Sequence, residues 1–440
     1  MKSAMAVSSL PLFEAASRGK KTRSLHSELR GFSEFERATT ASTHVHHSHK
    51  VPVYENEFWT AKQRAGHSIH EISYRACYKP QLPAFFISRF CDPGDVVYDP
   101  FMGRGTTLIE AQIHGCRAWG ADINPLSKVL VLPRLSPPSL ASIKERLDLI
   151  ELPDVTPDDE DLLVFFEEKT LREICGWQTY FGQRHQQKSF DVLDGWIQMV
   201  ACNRLTGHSN GFFSVYTLPP NQATSVIAQR KINTKRNQVP EYRNTKALIW
   251  KKSRQLLKDP LPAGFSRNDA TVLCGSADHS PGLPDKSVKL IVTSPPFVDT
   301  VDYLGDNWMR MWFTGLELKK DSLWQLRSVK DWTARMTDTF TEFHRVLRTD
   351  GLIAFEVGEV RGGVLLLEHA VIEAATATGL VPECVMINSQ VFTKTANCWG
   401  VDNNKKGTNS NRIVVLRKDG DAPRRTHPNK IPSCLIPTKS

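Results

Sequence analysis

Short continuous apolar runs alternate with segments of helical period in two stretches of the chain, residues 55–135 and 266–420. In the first, VVY (96–98) predicts a buried strand that runs into DPFMGRGTT (99–107). TLIEAQIHG (107–115) then predicts a helix closed by Gly115, and CRAWGADI (116–123) the next strand. Strand, glycine-rich turn, helix and strand make one βαβ unit, so the fold class is α/β with a parallel sheet. In the second stretch VKLIVTSPP (288–296) predicts a buried strand ending in a turn. DWTARMTDTFTEFHRVLRTDG (331–351) predicts an amphipathic helix, with Trp332, Met336, Phe340, Phe343 and Leu347 on one face and Gly351 at its end. GLIAFEVGEV (351–360) predicts a strand and LLLEHAVIEAATATG (365–379) a helix. VPECVMINSQVF (381–392) and NRIVVLRK (411–418) predict a closing antiparallel pair.

The pattern breaks after LPRLSPPSL (132–140), and residues 136–265 read as a separate module with strong charge asymmetry. Residues 151–168 carry eight acids and no Lys or Arg, whereas 229–258 carry ten Lys and Arg against Glu241 alone. Residues 1–54 and 421–440 lack sustained periodicity and are expected to be flexible tails. The histidine-rich HVHHSH (44–49) has no acidic or cysteine ligand beside it, so a solvated tract is favoured over a metal site, and no metal is expected. The apolar residues after Lys2 are interrupted by Pro11 and Glu14, which argues against a signal peptide.

Composition narrows the class. With 40% hydrophobic and 23% charged residues the chain is ordinary globular protein, and 440 residues predict two or three domains. A formal charge of +9 permits a polyanionic partner without demanding one. No apolar run approaches the roughly 18 residues of a membrane-spanning helix. The nine cysteines are scattered and form no CxxC, which argues against a disulfide framework or zinc site and fits a cytoplasmic location.

Two turns carry chemistry. In DPFMGRGTT, Gly103 and Gly105 let the backbone approach a ligand where a Cβ would clash, and the following helix offers free N–H groups. Leu108 stands where a dinucleotide G-x-G-x-x-G pattern has its third glycine, and a tight turn with no ligand also accounts for the segment. Asp122, at the end of the next strand, shifts the balance: it is placed to accept hydrogen bonds from ribose hydroxyls, a turn or N-cap acid being the plain alternative. A nucleoside-bearing cofactor is the leading reading. The second turn is TSPPF (293–297). Two consecutive prolines fix φ and donate no backbone hydrogen bond, so the turn is stiff and presents carbonyls and the Ser294 hydroxyl outward. Such acceptors suit an amino group held for attack, and Phe297 can stack on a planar ring.

Together these turns resemble those of the S-adenosylmethionine-dependent DNA methyltransferases that act on exocyclic amino groups. The resemblance implies a Rossmann-like SAM-dependent methyltransferase sheet, built from 55–135 and 266–420, with 136–265 an inserted target recognition region. It implies S-adenosylmethionine as cofactor, its methionine part held by Asp99, Phe101, Gly103, Gly105 and Thr106, and its adenine by Asp278. HSIHEISYRACYKPQLPAFFISRF (67–90) is similar to the family segment that closes over the methionine end, and Lys79 in it counts as cofactor-binding with Asp122. Ser294, Pro295, Pro296 and Phe297 would hold the target base, and the Thr-Ser-Pro-Pro form looks most like members that methylate cytosine at N4. The implied activity is site-specific methylation of double-stranded DNA after base flipping, in a restriction-modification or solitary role. Adenine-N6 methylation and an RNA amino-methyltransferase are the alternatives. Any restriction endonuclease would be a separate protein.

The basic stretch 229–258 would face DNA through Lys231, Lys235, Arg236, Arg243, Lys251 and Lys252, with Tyr242 and Trp250 among the cations; a solvated helix face is the alternative. Carbon-5 cytosine methylation is disfavoured, because that chemistry needs a cysteine nucleophile, typically after proline, and no Pro-Cys pair occurs.

Overall fold

The computed structural model describes residues 25–46, 49–60, 66–217, 223–265, 270–296, 302–318, 324, 326, 328–357, 359–360, 365–389 and 410–418. The strands are β1 (Thr40–His46), β2 (His49–Asn56), β3 (Val96–Asp99), β4 (Arg117–Asp122), β5 (Ala270–Cys274), β6 (Val288–Thr293), β7 (Leu347–Val357), a short β8 (Glu359–Val360) with β9 (Leu365–Leu366), β10 (Leu380–Ser389) and β11 (Ser410–Lys418). The helices are α1 (Leu25–Arg30), α2 (Gln81–Phe90), α3 (Thr106–Ile113), α4 (Leu126–Leu135), α5 (Leu140–Leu149), α6 (Glu168–Gln186), α7 (Val192–Cys202), α8 (Val226–Arg236), α9 (Thr245–Leu256), α10 (Tyr303–Thr314), α11 (Val329–Val346) and α12 (Leu367–Thr376).

Nine strands form one mixed sheet in the order β1-β2-β10-β11-β7-β6-β3-β4-β5. The run β7-β6-β3-β4-β5 is parallel throughout, and β11 lies antiparallel between β7 and β10. Successive side chains of a strand point to opposite faces, and the cores divide accordingly. Tyr98, Ile291, Ile353 and Phe355 face α11 and α12 in one cluster. Val97, Leu290, Val292 and Ala354 face α2 and α3 in another. The α/β fold with a parallel centre and a closing antiparallel pair is the one the apolar pattern implies.

The glycine loop between β3 and α3 shows why these residues are needed. Gly105 caps α3 at φ +74°, and a Cβ there would meet Val131 Cγ2 at 2.6 Å. Behind the loop the parallel strands β3 and β6 are tied by a buried carboxylate. Asp99 accepts hydrogen bonds from Thr293 Oγ1 (2.7 Å), Tyr78 Oη (2.7 Å) and the Phe101 amide (3.1 Å). Burial pushes its carboxyl up to about 6, although the three donors pull the other way.

Three expectations fail here. The helix expected to run to Gly351 stops at Val346, and Leu347 opens β7 opposite Val288. Leu347 is fully buried in either setting, so its apolar character extends the helical stripe without belonging to it. The expected flexible tail 1–54 is wrong from residue 25 onward among the described residues. β2 joins the sheet parallel to β10, β1 pairs with β2 through the histidine-rich hairpin, and Leu29, Phe32, Val51 and Val53 are buried. A two-valine alternation around Pro52 in a polar run is too short to stand out. Thirdly, Cys274 is disulfide-bonded, whereas Cys77, Cys91, Cys116, Cys175, Cys202 and Cys384 are free. No helix among the described residues is long and apolar enough to cross a membrane.

The stretch 136–265 is helical, and its core is continuous with its neighbours. Trp177, Trp196, Phe165 and Ile249 pack in one cluster with Leu126 and Leu130 of α4 and Met309 and Phe313 of α10. Its charges partly answer each other: Arg230 of the basic run pairs with Asp161 of the acidic one.

Gly105→Ala should destabilise the protein by about 2–4 kcal/mol, from the left-handed backbone and the overpacking together. Chemical denaturation checks this, and adding Gly105→Ala to a Val131→Ala background should cost measurably less. Asp99 gives a pH signature. Its folded pKa lies above the ordinary carboxyl value of 3.8, so between about pH 4 and 6 the native carboxyl keeps a proton that the unfolded chain has lost. Stability from this group is therefore lost as pH rises through that window, by up to about 3 kcal/mol. Asp99→Asn should remove the loss, so the variant gains on the parent from pH 4 to 7; a constant difference would contradict it.

Candidate functional site

A cleft opens at the carboxyl ends of β3, β4, β5 and β6, where ligands of open α/β sheets bind. It is lined by Phe101 and Gly103 from the glycine loop, Asp122 and Asn124 after β4, Ala277 after β5, and Ser294 and Pro296 after β6. Tyr74, Tyr303 and Trp324 complete the wall. The loops of two distant segments thus share one cavity because β3 and β6 are ladder neighbours, with Val97 opposite Leu290.

Asp122 holds the glycine loop and faces the cleft. Its carboxylate accepts from the Gly103 amide (2.8 Å) and the Asn124 amide (2.8 Å). Burial raises its pKa, and the two backbone donors counter that. A side chain at Gly103, where φ is +48°, would touch the Tyr74 ring at 3.4 Å. Tyr74 and Tyr303 lie near the Asp122 carboxylate, and burial raises both phenols. The Asn124 side-chain nitrogen is buried with no hydrogen-bond partner, a donor aimed at nothing in the protein.

The Ser-Pro-Pro turn is anchored from behind. The Trp332 indole donates to the Pro296 carbonyl (3.0 Å), pinning the turn to α11. Ser294 hydrogen-bonds to Glu356, whose buried carboxyl also accepts from Asn411 Nδ2 (2.5 Å). Burial pushes the Glu356 carboxyl up. The register that sets Thr293 beside Phe355 puts Ser294 level with Glu356.

Other expected residues fall outside the cleft. Asp99 is wholly engaged under the loop, and Thr106 is buried, accepting from Arg104 Nε (3.2 Å). Asp278 forms an ion pair with Arg335 (2.9 Å) and is absent from the cleft wall, where Ser276 and Ala277 stand instead. Lys79 is half-buried beside Arg104 and does not line the cleft; burial lowers its pKa. Pro295 is buried, and Phe297 lies outside the described residues. Of the basic residues, Lys231, Lys235 and Arg236 are exposed on α8, Arg243 and Lys251 lie on or beside α9, and Lys252 is buried. Tyr74, Asn124, Tyr303, Trp324 and Glu356 carry no motif of their own. Tyr74 and Glu356 sit inside segments flagged for other reasons.

The residues fit a nucleoside-bearing sulfonium. They offer a carboxylate beside an orphaned amide donor, aromatic walls, and a loop without side chains. The free space, about 90 Å³, is narrow where Trp324 packs edge-on to Phe101 at 5.5 Å.

Residues 17–128 match the N6_N4_Mtase family, described as DNA methylase. Two curated relatives are the type II methyltransferase M.MjaII of Methanocaldococcus jannaschii and the type II methyltransferase M.BsoBI of Geobacillus stearothermophilus. The first is 35% identical over 87 residues, 20% of this chain and 16% of the relative. The second is 21% identical over 322 residues, 65% of this chain and 60% of the relative. A solved TehB-like SAM-dependent methyltransferase from Corynebacterium glutamicum covers 77% of this chain and 87% of its own, at 11% identity and a TM-score of 0.28, a likeness too slight to argue from. The matched segment runs through the glycine loop to Asp122 and beyond, so over that quarter of its length, cofactor loop included, the chain is similar to the N6/N4 DNA methylases.

Proposed function

We propose that this protein transfers a methyl group from S-adenosylmethionine to the exocyclic N4 of cytosine in double-stranded DNA, in the manner of type II methyltransferases. The observation that carries the reading is the single cleft lined by both Gly103 and Ser294. The family match and the type II relatives support DNA as the substrate. The Thr-Ser-Pro-Pro turn supports cytosine over adenine.

When bound, S-adenosylmethionine supplies a methyl group already activated by its sulfonium. The chain's own work is alignment more than acid–base strength. Asp122 and Asn124 would take the nucleoside end: the carboxylate accepts ribose hydroxyls, and the unpartnered Asn124 amide finds an acceptor. Ser294 Oγ, by donating its proton to Glu356, keeps its lone pairs for the target amino group, which draws nitrogen density toward the methyl. The Trp332 contact fixes the turn so that this acceptor does not drift. The target base would be turned out of the duplex to reach the cleft. The basic surface of α8 and α9 would meet the phosphates through Lys231, Lys235, Arg236 and Lys251, with Arg243 just before α9, which supplies affinity without sequence choice.

Incubation with methyl-labelled cofactor and plasmid DNA, followed by digestion to nucleosides, should give N4-methylcytosine. N6-methyladenine would keep the family and overturn the base assignment, and label on RNA alone would overturn the substrate. Ser294→Ala should cut kcat about 10- to 100-fold, the worth of one hydrogen bond at a charged or reacting group, and leave cofactor affinity unchanged. Asp122→Ala should do the reverse, raising the cofactor Kd by a similar factor. If both variants lost only stability, the site would be misplaced.

A further inference from the structure

The helical stretch 136–265 holds a second cavity, of about 330 Å³, which shares no lining residue with the cleft. Arg204, Lys251 and Lys252 line it, with Ser209, Asn210 and Gln255 as neutral partners and no carboxylate in the wall. Arg204 follows α7, Ser209 and Asn210 sit on the turn after it, and the two lysines project from α9.

Two of these cations are nearly buried: Arg204 is 8% exposed and Lys252 6%. Burying like charges together is costly unless a counter-charge completes the site. Burial, then the Arg204 charge, lowers Lys252 to about 8. Burial, then Arg310, lowers Arg204 to about 10. Among the described residues, the carboxylate paired with Lys252 is Glu71, at a long 3.9 Å and 44% exposed, too far and too wet to neutralise the cluster. Arg204 is nonetheless held in place, its guanidinium 4.0 Å over the Phe212 ring and its Nε donating to the Asn203 carbonyl. Among the described residues its two terminal nitrogens have no hydrogen-bond partner. Arg243 adds a further cation at the margin, donating to Asn210 Oδ1 (3.1 Å).

A positioned, desolvated guanidinium fork with an ammonium beside it matches a phosphate group. We propose that this cavity seats one phosphate of the DNA backbone, with Arg204 and Lys252 as its buried counter-charges and Lys251 at its mouth. The assignment rests on the DNA reading above and deepens it, turning part of a basic face into one defined contact. It also bears on how a DNA contact reaches the cofactor cleft. Glu71, which leans on Lys252, and Ser73, clamped by Asn203 through two hydrogen bonds (2.8 and 3.1 Å), lie just before Tyr74 of the cleft wall.

The test is a salt series of duplex-DNA binding by fluorescence anisotropy, with the full chain, Lys251→Gln and Lys252→Met, the last an apolar side chain of similar length. Cofactor affinity and thermal unfolding of each variant are measured alongside, and Lys251, being exposed, is safe for folding. The proposal expects both variants to bind DNA more weakly, with the log–log salt slope of Lys252→Met shallower by about 0.9, one phosphate contact, and cofactor affinity unchanged. Parental slope and affinity in both variants would overturn the phosphate site while leaving DNA as the substrate. No DNA binding by the parent would overturn the DNA reading and this proposal together. Inorganic phosphate is the second probe. If it raised the melting temperature of the parent but not of Lys252→Met, while the DNA salt slopes stayed equal, the cavity would belong to free phosphate and the DNA assignment would fall.

Discussion

The Thr293 hydroxyl donates to the Asp99 carboxylate across the ends of two adjacent parallel strands, and this contact spans 194 positions of sequence. It locks the relation between a glycine loop and a Ser-Pro-Pro turn that the β3–β6 ladder has already brought side by side. The carboxylate is also bound to the Tyr78 hydroxyl, which reaches the Val292 carbonyl (3.2 Å), so three segments converge on one buried group. Water is excluded there, and an unpaired carboxylate would be expensive, so the donors and acceptor hold one another in place.

The same economy recurs around the cleft. Arg104 and Arg134 are buried beneath the glycine loop and bond to backbone carbonyls, Arg104 to Ile72 (2.8 Å) and Arg134 to Leu130 (2.8 Å) and to Arg104. These forks staple the segment before α2 and helix α4 to the loop, so the tyrosine wall and the Asp122 corner are set together. Glu356 does for the Ser294 turn what Asp122 does for the loop. Each is a buried carboxylate whose pKa burial raises and whose hydrogen-bond donors restrain it. The charged groups of this site serve position first, and their chemistry follows from where they are held.

Much of this was legible in the chain. The runs at 96–98 and 288–293 announced β3 and β6 because strands buried on both faces read as continuous apolar text. The glycines at 103 and 105 announced a close approach, and φ is positive at both. What could not be read was partnership. Asp278 looks like a ligand in sequence, yet Arg335 on α11 takes its carboxylate. Lys252 sits in an exposed-looking basic run, yet helix phase turns it inward while Lys251 faces out. Glu356 lies in a strand with nothing to mark it, and only the β6–β7 register brings it to Ser294. The β1–β2 hairpin was hidden for another reason: the edge strand β1 buries little, and the apolar alternation of β2 is confined to Val51 and Val53.

Ultraviolet crosslinking of methyl-labelled S-adenosylmethionine to the intact protein, followed by peptide mapping, probes the shared cleft directly. Label should appear on peptides carrying Tyr74, Phe101 or Trp324, and unlabelled cofactor should compete it away. Competable label confined to the helical stretch 136–265 would mean that the loops at 103 and 294 do not frame the cofactor at all.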